Sequence, residues 1–125
     1  GRRETLRAEG EGLALPLVVL IDGLTASTAE IVAGAVQDSR AGVLVGTRTY
    51  GKGTIQSLYG LGRGGGLKVT VAGYLTPNGR RIEGEGIYPD RVVAAGLPPA
   101  GGDAADIPGD RQLAEGIAVL EALLK

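Results

Sequence analysis

Two short stretches hold the residues best suited to chemistry. The first is DGLTASTAE (22–30), with Asp22, Ser27, Thr28 and Glu30; the second is YGKGTIQ (50–56), with Lys52 and Gln56. A serine hydroxyl becomes a nucleophile when a neighbouring base takes its proton. The 125 residues include no His and no Cys. That inventory excludes Ser-His-Asp and Cys-His catalysis, His or thiolate zinc sites, iron–sulfur clusters and disulfides. A base must then come from Lys, Asp, Glu or Tyr. Lys52 is flanked by Gly51 and Gly53, which let other groups approach closely. Held against apolar walls, an ammonium loses solvation and its pKa falls, as a general base near neutral pH requires. In an extended chain Lys52, Thr54 and Gln56 share one face, and a neutral amide can hold the amine without adding charge.

Each stretch also has a plain reading. Ser27-Thr28-Ala29-Glu30 is a capping box, in which the Ser hydroxyl accepts from the Glu30 N–H and Glu30 reaches back. The same helix start offers free, positively polarised N–H groups that would welcome an oxyanion. Local pattern leaves cap and nucleophile both open, with the cap the commoner arrangement. Lys52 by spacing alone reads as an exposed loop lysine, and Gln56 as a surface residue. GTRTYGKG (46–53) approaches a phosphate-binding loop, but Gly53 stands where the Ser or Thr is needed and no helix pattern follows.

The elements that must position these groups are legible in outline. LALPLVVLID (13–22) is an apolar run expected to form a strand buried on both faces. AEIVAGAVQDS (29–39) reads as a helix with Ile31, Val32, Ala35 and Val36 as its apolar stripe. AGVLVG (41–46) follows as a second strand, so the order implies a βαβ unit with parallel strands. TIQSLYGL (54–61) and LKVTVAGYL (67–75) are expected to pair as a hairpin through the Gly-rich 60–66. TPNGRR (76–81) carries a turn signal, and residues 81–93 continue as loop and short strand. Residues 1–12 are charged and Gly-punctuated, a strand end or loop, and 95–109 are a Gly/Pro/Ala linker. Residues 111–125 form an amphipathic helix with Leu113, Ile117, Leu120 and Leu124 on one face and Asp110 as its cap.

Apolar residues make up 43% of the chain and the net charge is −1. The composition suits one compact domain and gives no footprint for nucleic acid or a polybasic membrane patch. Phe, Trp and Met are absent, so the core must be Val, Leu, Ile and Ala. No signal peptide or membrane-length apolar stretch is visible. The opening GRRETLRAEG, without an initiator Met, suggests a piece of a longer protein.

Taken together, PLVVLIDGLTASTAEIVAGAVQDSRAGVLVG (16–46), TRTYGKGTIQ (47–56) and LKVTVAGYLTPNGRRIEGEGIYPD (67–90) resemble the carboxyl-terminal processing proteases, also called tail-specific proteases. The resemblance covers about three quarters of the chain. It implies an α/β fold with a Clp protease/crotonase-like core, comprising the βαβ unit, the β-hairpin and the C-terminal amphipathic helix. It implies a catalytic core over 1–94, a linker over 95–109 and a helix over 110–125, without the family's PDZ domain. Carried over by position, the nucleophile falls on Ser27, the general base on Lys52 and the Lys-orienting amide on Gln56. The N–H of Thr28 becomes one oxyanion donor, with a second from a Gly-rich strand upstream of this chain. Leu24 stands where the family often has Gly, and Ala29 where it often has Ser.

The implied function is a serine endopeptidase that needs no cofactor and cleaves protein substrates near their carboxyl termini. Its partner would be a protein or peptide held by its C-terminal region, and a homo-oligomer is compatible with it. The family implies a location outside the cytosol, in a bacterial periplasm or envelope or an organelle lumen. The alternative is a non-catalytic peptide-binding or assembly module on the same fold. A third reading, an acyl-CoA-handling enzyme, rests on fold analogy alone.

Overall fold

Val and Leu in the first apolar run favour an extended chain, and a strand forms at Val18–Ile21 (β1). A turn leads into a helix at Thr28–Ser39 (α1), which ends at Arg40 in a left-handed conformation. The chain returns as Val43–Gly46 (β2), parallel to β1 with Val18 opposite Val43 and Ile21 opposite Gly46. Strand Thr54–Leu61 (β3) turns at Gly62–Gly64 into Gly65–Gly73 (β4), an antiparallel hairpin. Arg63 and Gly64 both take positive φ there, as a primed hairpin turn requires. Arg91–Val92 (β5) adds to β2 in parallel, so the main sheet runs β1-β2-β5. Helix Arg111–Leu123 (α2) lies against β1 and β2. This computed structural model describes residues 14–94 and 110–125, together with Thr5 and Gly12. The expected linker at 95–109, and most of the stretch 1–12, lie outside the described residues.

The core gathers Ile21 from β1, Ala33 from α1, Leu44 from β2, and Ile82 and Ile87 from the segment between the hairpin and β5. Helix α1 turns part of the expected stripe inward, with Ile31 and Val36 packed against the core and Ala35 half-buried, but it does not bury that stripe fully. Its buried residues are Glu30, Ala33 and Gly34, and Val32 is exposed. The rotation follows from close packing at Gly34, where a Cβ would meet Thr76 Cγ2 at 2.8 Å and Ile87 Cδ1 at 3.2 Å. Small residues let α1 approach that segment, and side-chain volume overrides the apolar count.

Two further expectations are corrected. Strand β1 is not buried on both faces, because Leu20 remains 41% exposed among the described residues. Helix α2 turns Leu113 and Ile117 outward and buries Gln112 and Gly116 instead. The reason is again local: Gly116 lies close against Leu20 and Val18, and Gln112 Nε2 donates to Val93 O at 2.9 Å. The helix therefore docks most deeply through its smallest residue and one hydrogen-bonded amide, with Leu120 of the expected face half-buried. The cap at its start forms as expected, with Asp110 accepting from the N–H groups of Gln112 and Leu113 at 2.9 and 3.1 Å. The TPNGRR turn also forms, with Gly79 at φ +79° and Thr76 N–H donating to Arg80 O at 2.9 Å.

Candidate active site

The chain leaving β1 is knotted into a tight corner. Asp22 Oδ1 accepts from the N–H groups of Leu24 and Thr25, both at 2.9 Å, and from the Thr25 hydroxyl. Ser27 follows with φ 57° and ψ −120°. A residue with a side chain rarely adopts positive φ, and holding one there costs on the order of 1–3 kcal/mol. The same strained strand-to-helix corner exposes the nucleophile of hydrolases built on a serine elbow.

That backbone alters the capping box. Ser27 N–H donates to Glu30 Oε2 at 2.9 Å, so the glutamate half is made. The Ser27 side chain also faces the Glu30 N–H, so both halves of the expected capping box are in place, but the Glu30 N–H bonds the Ser27 carbonyl at 2.9 Å and the Ser27 hydroxyl closes no cap hydrogen bond of its own. A serine cap usually has β-region dihedrals, and at φ 57° the Ser27 side chain faces the Glu30 N–H without completing that bond. Thr28, the first residue of α1, is exposed, and its N–H has no acceptor among the described residues.

Glu30 does far more than end a turn. Its side chain is fully buried. Oε1 accepts from the Thr49 hydroxyl and from Gly51 N–H at 2.7 Å; Oε2 accepts from Ser27 N–H and from Lys52 N–H at 2.7 Å. Burial pushes this carboxyl up, but hydrogen bonds from the Thr49 hydroxyl and from the N–H groups of Lys52, Gly51 and Ser27 outweigh it and hold the pKa below its ordinary value. One oxygen thus bonds the amide of Ser27 and the amide of Lys52. With bonds of 2.9 and 2.7 Å, the two nitrogens lie no more than about 6 Å apart. A second tie runs from Tyr50 N–H to Thr25 O at 2.9 Å.

The Gly51-Lys52-Gly53 loop is held from its other side as well. Gly51 has φ +89°, and Gly51 O accepts from Gly84 N–H at 2.9 Å. Gly53 N–H donates to Glu83 Oε2 at 2.7 Å, and Gly53 O accepts from Tyr74 N–H at 2.6 Å. Both glycines are buried while Lys52 is exposed. Lys52 is exposed, as its spacing alone suggests; the fold encloses the loop backbone, and the apolar walls that would desolvate the amine do not surround it among the described residues. Gln56 lies two residues into β3, opposite Thr70, and is also exposed. The fold brings the backbones of Ser27 and Lys52 together. Among the described residues no hydrogen bond joins Ser27 Oγ, Lys52 Nζ and the Gln56 amide to one another.

Comparison with known proteins gives the same frame. Residues 2–93 match the family model described as Peptidase family S41. The chain belongs to peptidase family S41. Within S41, it is 51% identical over 83 residues to the carboxy-terminal-processing protease of Bartonella bacilliformis, covering 66% of this chain and 19% of that protein. It is 51% identical over 94 residues to the carboxyl-terminal-processing protease of a Synechocystis species, covering 74% of this chain and 22% of that protein. Among solved structures, a photosystem II D1 C-terminal processing protease superposes with a TM-score of 0.61 at 48% identity, over 63% of this chain and 20% of that one. The mixed parallel and antiparallel sheets and this match agree with the expected α/β fold and its Clp protease/crotonase-like core. The chain spans about a fifth of the length of these S41 relatives.

Within this S41 core, spacing did not reveal Thr49 and Glu83, nor the reach of Glu30 beyond its cap. Glu30 has a ready local explanation as a cap, which hides its partners 19 to 22 residues away. Thr49 and Glu83 carry no local signal, because their roles exist only where separate loops meet.

Proposed function

We propose that this chain is the catalytic core of a serine endopeptidase that works with a Ser–Lys pair and acts near the carboxyl ends of protein substrates. The observation that carries the proposal is Ser27 in a strained corner, at the open start of α1, tied through one carboxylate oxygen to the amide of Lys52. In this reading neutral Lys52 takes the Ser27 proton as Oγ attacks the scissile carbonyl. The free N–H of Thr28 donates to the developing oxyanion. Lys52 then returns the proton to the leaving amine, and water completes deacylation. Gln56 orients the amine once substrate is bound, which accommodates its present separation, since catalytic hydrogen bonds often tighten only in the complex. The names of the S41 relatives support both the reaction class and the carboxyl-terminal preference. Chloroplastic relatives at 53% and 47% identity support an organelle or envelope compartment.

Ser27→Ala and Lys52→Ala in the full-length protein are each expected to lower peptide cleavage on the order of 10⁴-fold or more while leaving the fold intact. Retained cleavage in either variant refutes the assignment. The exposure of Lys52 favours a second reading, a non-catalytic peptide-binding module. Failure of a fluorophosphonate probe to label the intact protein, even at about pH 9 where more lysine is neutral, would decide for that module.

A further inference from the structure

The loop that carries Lys52 presents three successive N–H groups, from Gly51, Lys52 and Gly53. Such a run is an anion-binding nest. Here it is filled by two carboxylates from separate parts of the chain: Glu30 takes the first two donors and Glu83 Oε2 takes the third at 2.7 Å. Gly53 is buried, and a Cβ there would lie 2.5 Å from Glu83 N and 2.9 Å from Ile82 Cβ. The two backbones are packed so closely that Glu83 is held beside the Gly53 N–H, and a mobile water from the adjoining cavity would not fix the loop in the same way. We propose that Glu83 is a positioning residue for the general base: by accepting the Gly53 N–H it fixes the backbone from which Lys52 reaches toward Ser27. The inference rests on the Ser–Lys reading above.

Geometry separates this role from that of a simple surface charge. Glu83 also lines a cavity of about 580 Å³ with Gly53, Tyr74 and Arg81. A glutamine at this position keeps a carbonyl oxygen for Gly53 N–H and can turn its NH₂ into the open cavity. An aspartate keeps the charge but is one methylene short of the amide. The hydrogen bond and the charge therefore make opposite forecasts for the two substitutions.

The test compares Glu83→Gln, Glu83→Asp and Glu83→Ala in the full-length protein, with steady-state peptide cleavage and the rate of fluorophosphonate labelling as readouts. The Asp and Ala variants are expected to lose about 10- to 100-fold in kcat with KM unchanged, because the base is misplaced while the substrate groove is not. Labelling should slow in parallel. The Gln variant should stay within about threefold of the parent. If the Ala variant does not fold, the contrast between Gln and Asp decides alone. A Gln variant as impaired as Ala, an Asp variant as active as the parent, or a loss carried by KM overturns the proposal. Ser27→Ala and Lys52→Ala run beside these. Activity surviving in those two removes the underlying reading, whereas inactive controls with a fully active Glu83→Ala remove only this inference.

Discussion

Replacing Glu30 by Gln removes one atom's worth of acceptor from a fully buried group that receives four hydrogen bonds. The retained carbonyl can serve only one pair of donors, so the new NH₂ must face the other pair. The cheaper orientation points NH₂ at Thr49 and Gly51. There the Thr49 hydroxyl, which already accepts from Ile87 N–H, can also accept from the NH₂, but its own O–H and the Gly51 N–H then both lose their acceptor. The carbonyl then keeps the Ser27 and Lys52 amides, but as a neutral acceptor with weaker bonds. An orphaned buried donor costs about 1–3 kcal/mol, and the loss of charge assistance adds to it, while relief of a buried charge offsets part. The expected net destabilisation is about 2–3 kcal/mol, a large share of the 5–15 kcal/mol typical of a domain. Urea unfolding at neutral pH, monitored by circular dichroism, measures it as a lower midpoint with an unchanged slope. A midpoint indistinguishable from that of the parent would refute the reasoning, because it would mean that the carboxylate does not hold the two loops together.

The same carboxylate makes stability depend on pH. Its folded pKa lies below its ordinary value of 4.5, so its contribution is fully present above that value and is lost as pH falls through the lower folded pKa. The gap in urea midpoint between the parent and Glu30→Gln should therefore narrow in acid. Ser27→Gly should raise stability by about 1 kcal/mol by relieving the positive φ, while abolishing cleavage; thermal melts and the peptide assay check the two halves. Gly34→Ala gains up to about 1 kcal/mol of helix propensity. Its Cβ would also overlap Thr76 and Ile87, so a net loss of about 1–2 kcal/mol in chemical denaturation is expected.

The amino-acid sequence by itself determined the features whose causes lie within a few residues. The strand–helix–strand order, the hairpin across its glycines, the TPNG turn and the Asp110 cap all form where patterns and turn chemistry place them. The absence of His likewise narrows the possible base to Lys, Asp, Glu or Tyr. Tertiary structure alone decided which helix faces are buried, because Gly34 and Gly116 mark close approach and an apolar count does not. It also decided what Ser27 and Glu30 do. A capping box is a local energy and favours the serine hydroxyl on the helix N–H groups. The fold keeps the box but holds Ser27 at φ 57°, where its hydroxyl closes no cap hydrogen bond, and turns Glu30 also toward a loop more than twenty residues away. A buried carboxylate is tolerable only where enough donors converge on it, and the donors of Gly51, Lys52 and Thr49 arrive only when the chain closes on itself.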